Sequence, residues 1–126
     1  MKSEDVINDI IREFEYLETY GFKRSTSTVL EHRVATAFLG EDFNILLWFE
    51  YMAEDFDFSL IDVKDPSKHC QFWKLIERYS PDGFDYEDIK PRYGEPYKPK
   101  LHNLATKFEK IVPIILKKEK SELFAQ

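Results

Sequence analysis

Val34-Ala35-Thr36-Ala37-Phe38-Leu39-Gly40-Glu41-Asp42-Phe43-Asn44-Ile45-Leu46-Leu47-Trp48-Phe49-Glu50-Tyr51 decides the fold, and Phe56-Asp57-Phe58-Ser59-Leu60-Ile61-Asp62-Val63 extends it. Side chains alternate at period two throughout, which marks β-strands. Val34, Thr36 and Phe38 fall on one side of a strand reading Val29–Leu39, opposite Ala35, Ala37 and Leu39. In Phe43–Tyr51, Ile45, Leu47, Phe49 and Tyr51 alternate with Leu46, Trp48 and Glu50. In Phe56–Val63, Phe56, Phe58 and Leu60 oppose Asp57, Ser59 and Ile61. The turns Gly40-Glu41-Asp42 and Ala53-Glu54-Asp55 are too short for crossovers, so the strands pair antiparallel as a meander. The Trp48 strand is apolar on both faces and belongs in the middle of the sheet.

The flanks of this meander read as helices. From about Ser3 to Tyr20, Val6, Ile7, Ile10, Ile11, Phe14 and Leu17 form one apolar stripe. Ser3 supplies a cap, Glu4 and Asp5 suit the positive helix end, and Gly21 suits the left-handed exit. Phe22–Thr28 reads as a loop or a weak edge strand. Asp65-Pro66-Ser67 has the form of a helix start, for a helix carrying Phe72, Trp73, Ile76 and Tyr79 that ends at Ser80-Pro81-Asp82-Gly83. Residues 81–100 hold four prolines and two glycines, which forbid a long helix or a central strand. This Pro/Tyr-rich stretch reads as a long loop with one helical turn near Tyr86–Ile89; such loops are commonly functional. A last helix starts near Lys100, with Leu101, Leu104, Phe108, Ile111 and Ile115 on one side. Pro113 is expected to kink or split it, and Ser121–Gln126 to fray. The sum is one α+β domain over 1–126: an N-terminal helix, a three- or four-stranded antiparallel meander, and two C-terminal helices on one face of the sheet.

Composition bounds the function. A 126-residue chain suffices for one core without a disulfide or metal staple. Its single cysteine, Cys70, forbids an intramolecular disulfide, and the acidic start Met1-Lys2-Ser3-Glu4-Asp5 lacks a signal-peptide pattern. No apolar run approaches a membrane span, so the sequence reads as cytoplasmic. Net charge is −6, an argument against nucleic acid as a partner. Residues 1–65 carry −9 and residues 66–126 carry +3, so the acidic half is suited to steering a basic partner.

Reactive groups are sparse. His69 and Cys70 adjoin, but neighbours on a helix point about 100° apart, and neither they nor His32 and His102 have metal-ligand spacing. Glu50, Glu54, Asp55, Asp57, Asp62 and Asp65 gather around the second turn and the last strand. Acid–base chemistry and cation binding are open to them, as is plain solvation of turns. Phe38, Trp48, Phe49, Tyr51, Phe56 and Phe58 would line a ligand pocket or simply form core. The four isolated glycines make no phosphate loop, and no cofactor is implied. Tyrosines and Arg92 in residues 81–100 are residue types that anchor interfaces.

The first helix closing on Tyr20-Gly21-Phe22, followed by aromatic strands at Asn44–Tyr51 and Phe56–Val63, is similar in layout to small stand-alone bacterial α+β proteins of the toxin-immunity type. That resemblance implies a non-catalytic protein that occludes a partner toxin, and it assigns no individual residue. The resulting expectation is a protein-binding surface made of the acidic turn (Glu54, Asp55, Asp57) and the loop (Tyr86, Arg92, Tyr93, Tyr97), facing another protein, basic in character, with no metal. The alternatives are a small-ligand binder or enzyme with a pocket between sheet and loop, and a structural homodimer.

Overall fold

A computed structural model describes residues 3–50, 55–92 and 94–124. The N-terminal helix α1 spans Ser3–Glu13 and passes through Phe14 into a 3-10 helix, Glu15–Tyr20. Gly21 ends it at φ 92°, its N–H and that of Phe22 returning to the Glu18 and Leu17 carbonyls. The tighter last turns keep Leu17 inward and fully buried while placing Thr19 in solvent.

The sheet has the order β1-β3-β4-β5-β6, with β2 also on β3, all antiparallel: β1 Lys23–Arg24, β2 Thr28–Val29, β3 Arg33–Leu39, β4 Phe43–Glu50, β5 Asp55–Asp62 and β6 His69–Gln71. β4 is central, as its two apolar faces require. Val34, Phe38, Ile45, Leu47, Phe49, Phe58 and Leu60 share one face and are nearly or fully buried beneath the helices. Two edge strands of two residues each, Lys23–Arg24 and Thr28–Val29, precede β3 and are short enough to offer little template for another chain. The expected Val29–Leu39 strand thus begins only at Arg33, because Val29 folds back to pair with Val34.

The expected second helix starts later than Asp65. The Asp65 carboxylate does accept from the Ser67 N–H (3.2 Å) and hydroxyl (2.6 Å), but this closes a hairpin turn. Lys68 returns beside Asp62, His69–Gln71 pairs with β5, and helix α2 opens only at Phe72, running to Tyr79. Phe72, Leu75 and Ile76 form its buried face, and Trp73 stands half-buried at its start.

Helix α3, Tyr97–Ile115, begins earlier than Lys100 because Pro99 sits in the first turn, where an N–H has no intrahelical acceptor. Pro113 does not split it. The helix runs on to Ile115 and forgoes only the one backbone bond that Pro113 cannot donate to the Glu109 carbonyl. The expected fraying from Ser121 is not found in the described residues. Lys120–Leu123 forms a short helix, α4, and Leu123 and Phe124 are buried.

One polar bond ties α4 to the sheet. Asp62 Oδ1 accepts from Lys120 Nζ at 2.8 Å and from the Lys64 N–H at 3.0 Å. The Lys120 bond holds the Asp62 carboxyl below its ordinary range. A depressed carboxyl stabilises the fold above its unfolded value, about 4, and that contribution vanishes as pH falls through the folded value. Lys120→Met is therefore expected to lower the melting temperature at pH 7, with the gap to wild type closing in acid. Thermal melts of both chains from pH 7 to pH 2 check it.

Candidate functional site

Alternation along β4 and β5 puts a second set of residues on the sheet face that no described helix covers. Strand register sets them in rows: Arg33, Glu50 and Asp55 across one, then Ala35, Trp48 and Asp57 across the next. Beyond β5, the same face receives Gln71 from β6 and Trp73 from the start of α2. The loop after α2 folds back so that Tyr86 borders the same place. Arg33, Trp48, Glu50, Asp55, Phe56, Asp57, Gln71, Trp73 and Tyr86 line one crevice of about 230 Å³. Beneath it a hollow of about 30 Å³ reaches Phe58, Phe72 and Leu104, room for about one water.

The loop is fastened to its own domain. A 3-10 turn, Tyr86–Asp88, forms where a turn was expected, with the Asp85 carboxylate accepting from the Glu87 N–H at 3.0 Å. Ile89 plugs into the core, Asn103 Nδ2 donates to the Asp88 carbonyl at 2.9 Å, and Lys100 donates to that of Glu87. Tyr86 stays 40% exposed while its ring meets Trp73 edge-on, centroids 5.4 Å apart. Trp73 is itself fixed by an Nε1–H bond to Gln71 Oε1 at 3.0 Å.

Of the seven residues expected to bind a partner, the structure brings Asp55, Asp57 and Tyr86 together. Arg92 is exposed but does not line the crevice; its guanidinium pairs with Glu87. Tyr97 is a correction: it lies buried on Phe49 (5.1 Å between centroids), its hydroxyl donating to the buried Asp9 carboxylate, so it serves the core. That burial, together with the bond to Asp9, pushes its phenol well above the ordinary tyrosine range. Glu54 and Tyr93 lie outside the described residues, as does Tyr51. Trp48, Trp73 and Gln71 were absent from the expected surface. Strand period already put Trp48 opposite the Ile45–Leu47–Phe49 face, whereas Trp73 and Gln71 needed the true start of α2.

His69 and Cys70 occupy a strand rather than a helix, so they point to opposite faces: His69 to solvent, Cys70 inward at 6% exposure. Burial raises the Cys70 thiol above its ordinary value, the reverse of an activated nucleophile. His32 is exposed near Glu31, and His102 pairs with Glu13 at 2.9 Å on the helical side. Among the described residues no group of three His, Cys, Asp or Glu side chains is placed to hold a metal ion, and no helix is long and apolar enough to cross a membrane.

The crevice is electrostatically crowded. Glu50 stands directly across from Asp55, and like charges in that position are destabilising. Burial, then Asp57 and Glu50, raise the Asp55 carboxyl above its ordinary range, with the Phe56 N–H bond and Lys90 opposing. A raised carboxyl favours the fold below its unfolded value and costs stability once ionised. Asp55→Asn is thus expected to raise the melting temperature at pH 7, with the advantage shrinking as acid protonates Asp55 in wild type. A pH series of melts measures it. No protein-family model, curated protein or solved structure matches this chain.

Proposed function

We propose that this protein is a non-catalytic protein-binding module, of the kind that neutralises a toxin by covering it, and that the crevice is its contact surface. The observation that carries this reading is the uncovered sheet face where Glu50, Asp55 and Asp57 surround the half-buried Trp48 and Trp73 and the exposed Tyr86. Large, ordered aromatics among carboxylates suit a basic protein: the rings give area at low entropic cost and the acids speed encounter. The stability sacrificed to crowded carboxylates fits a surface retained for binding.

The test is a pull-down from the native organism's lysate at low and high salt, followed by affinity measurement with variants. The reading expects a stoichiometric partner, weakened by salt, whose affinity falls at least about tenfold with Asp55→Lys or Tyr86→Ala. Unchanged affinity in both variants would overturn it. A small cationic ligand is the second reading, favoured by the concavity between sheet and loop. A thermal-shift screen would reveal it as stabilisation without any protein partner.

A further inference from the structure

We propose that the crevice receives an arginine side chain of the partner, its guanidinium seated over Asp57 between the Trp48 and Trp73 indoles. This inference rests on the protein-binding reading above and names the chemistry the surface recognises.

Three observations lead there. Trp48 lies directly across β4–β5 from Asp57, while Trp73 approaches from the β6 side, so a carboxylate is flanked by two indoles in one open crevice. Next, the chain already seats one guanidinium in that crevice in the same manner. The Arg33 carbon Cζ lies 4.8 Å from the Trp48 ring centroid and its Nη1 3.7 Å from Glu50 Oε1. Third, Arg33 answers only one of the three carboxylates. Neither Asp55 nor Asp57 has a cation within ion-pair distance among the described residues; Asp55 accepts the Phe56 N–H, and Asp57 only a long 3.5 Å contact from Ser59. Flat aromatic walls with an acceptor between them suit a planar, weakly hydrated guanidinium better than a compact, strongly hydrated ammonium.

The chain has two tryptophans, so its indole N–H signals report on both walls alone. Acetyl-arginine methylamide titrated into the ¹⁵N-labelled protein should move both signals and saturate, while acetyl-lysine methylamide should bind several-fold more weakly. Asp57→Asn, at an exposed position, should weaken the arginine response at least about fivefold. Trp48→Leu offers a second route: it removes one wall and should abolish saturation. Static indole signals, equal response to both probes, or an Asp57→Asn affinity like wild type would each overturn the proposal. The two readings separate cleanly. A partner sensitive to Tyr86→Ala but indifferent to Asp57→Asn and to competing arginine refutes the arginine seat and leaves the binding module standing. Saturable indole shifts with no protein captured uphold the seat and refute the module.

Discussion

Phe108→Ala is expected to destabilise the protein by about 3–5 kcal/mol, enough to lower its melting temperature by roughly 10 °C or more. Phe108 is fully buried on α3 and lies parallel to Phe72 of α2, ring centroids 3.8 Å apart and planes within 2°. Phe72 in turn meets Phe14, at the junction of α1 and the 3-10 helix, and Phe58 of β5 edge-on, at 6.0 and 5.9 Å. One ring therefore joins all the main elements, and removing its stacking partner opens a void that helices and sheet cannot close together. A face-to-face stack is not the arrangement ring quadrupoles prefer, so the energy at stake is burial and packing more than a special ring–ring attraction. For that reason Phe72→Ala and Phe108→Ala should be strongly non-additive: both empty the same space, and the double variant should lose less than the sum. Urea unfolding of the two singles and the double decides it. Strict additivity would mean the two rings fill independent sites.

Gly40→Ala is expected to cost about 1–3 kcal/mol or more, unusually much for a single methyl in a turn. A Cβ there would stand 2.6 Å from the Phe43 carbonyl oxygen and 2.7 Å from a Phe22 ring carbon. Gly40 lacks a positive φ, so the cost is steric rather than conformational. The neighbours are poorly placed to yield. Phe22 is buried against Phe43, centroids 5.5 Å apart, and the Gly40 N–H is held by Asn44 Oδ1 at 3.1 Å. Phe22→Leu should rescue only part of the loss, because the carbonyl oxygen remains. Gly21 makes the control: nothing lies within 4 Å of its added Cβ, so alanine there meets only the left-handed backbone penalty, about 1–2 kcal/mol. Denaturant midpoints of the three variants rank these terms.

Legibility followed periodicity. The period-two pattern from Val34 to Asp62 read correctly because one face is buried, and a one-residue slip would have turned Leu47 and Phe49 to water. Asp65-Pro66-Ser67 misled because an Asp–Ser pair caps a hairpin turn with the same hydrogen bonds it would use to cap a helix. Three residues of β6 are too short to show a period. The candidate site was half legible: Asp55, Asp57 and Tyr86 stand out by type, whereas Trp73 reaches them only through the β5–β6 pairing. Tyr97 shared its composition signal with Tyr86 and differs only in facing Asp9, a residue 88 positions away that reads as a surface acid.

That long tie, with the Tyr16 hydroxyl donating to the Ala105 carbonyl at 2.9 Å, bears on how the chain folds as it is made. Helix α1 leaves the ribosome before α3 and finds its neighbours there only after some ninety further residues have been added, several seconds at about 5–20 residues per second. Until then the apolar side of β4 has only part of its cover. The nascent chain is expected to stay sensitive to protease and to bind chaperones until residues near Ile115 clear the exit tunnel, then to close its core in one late step.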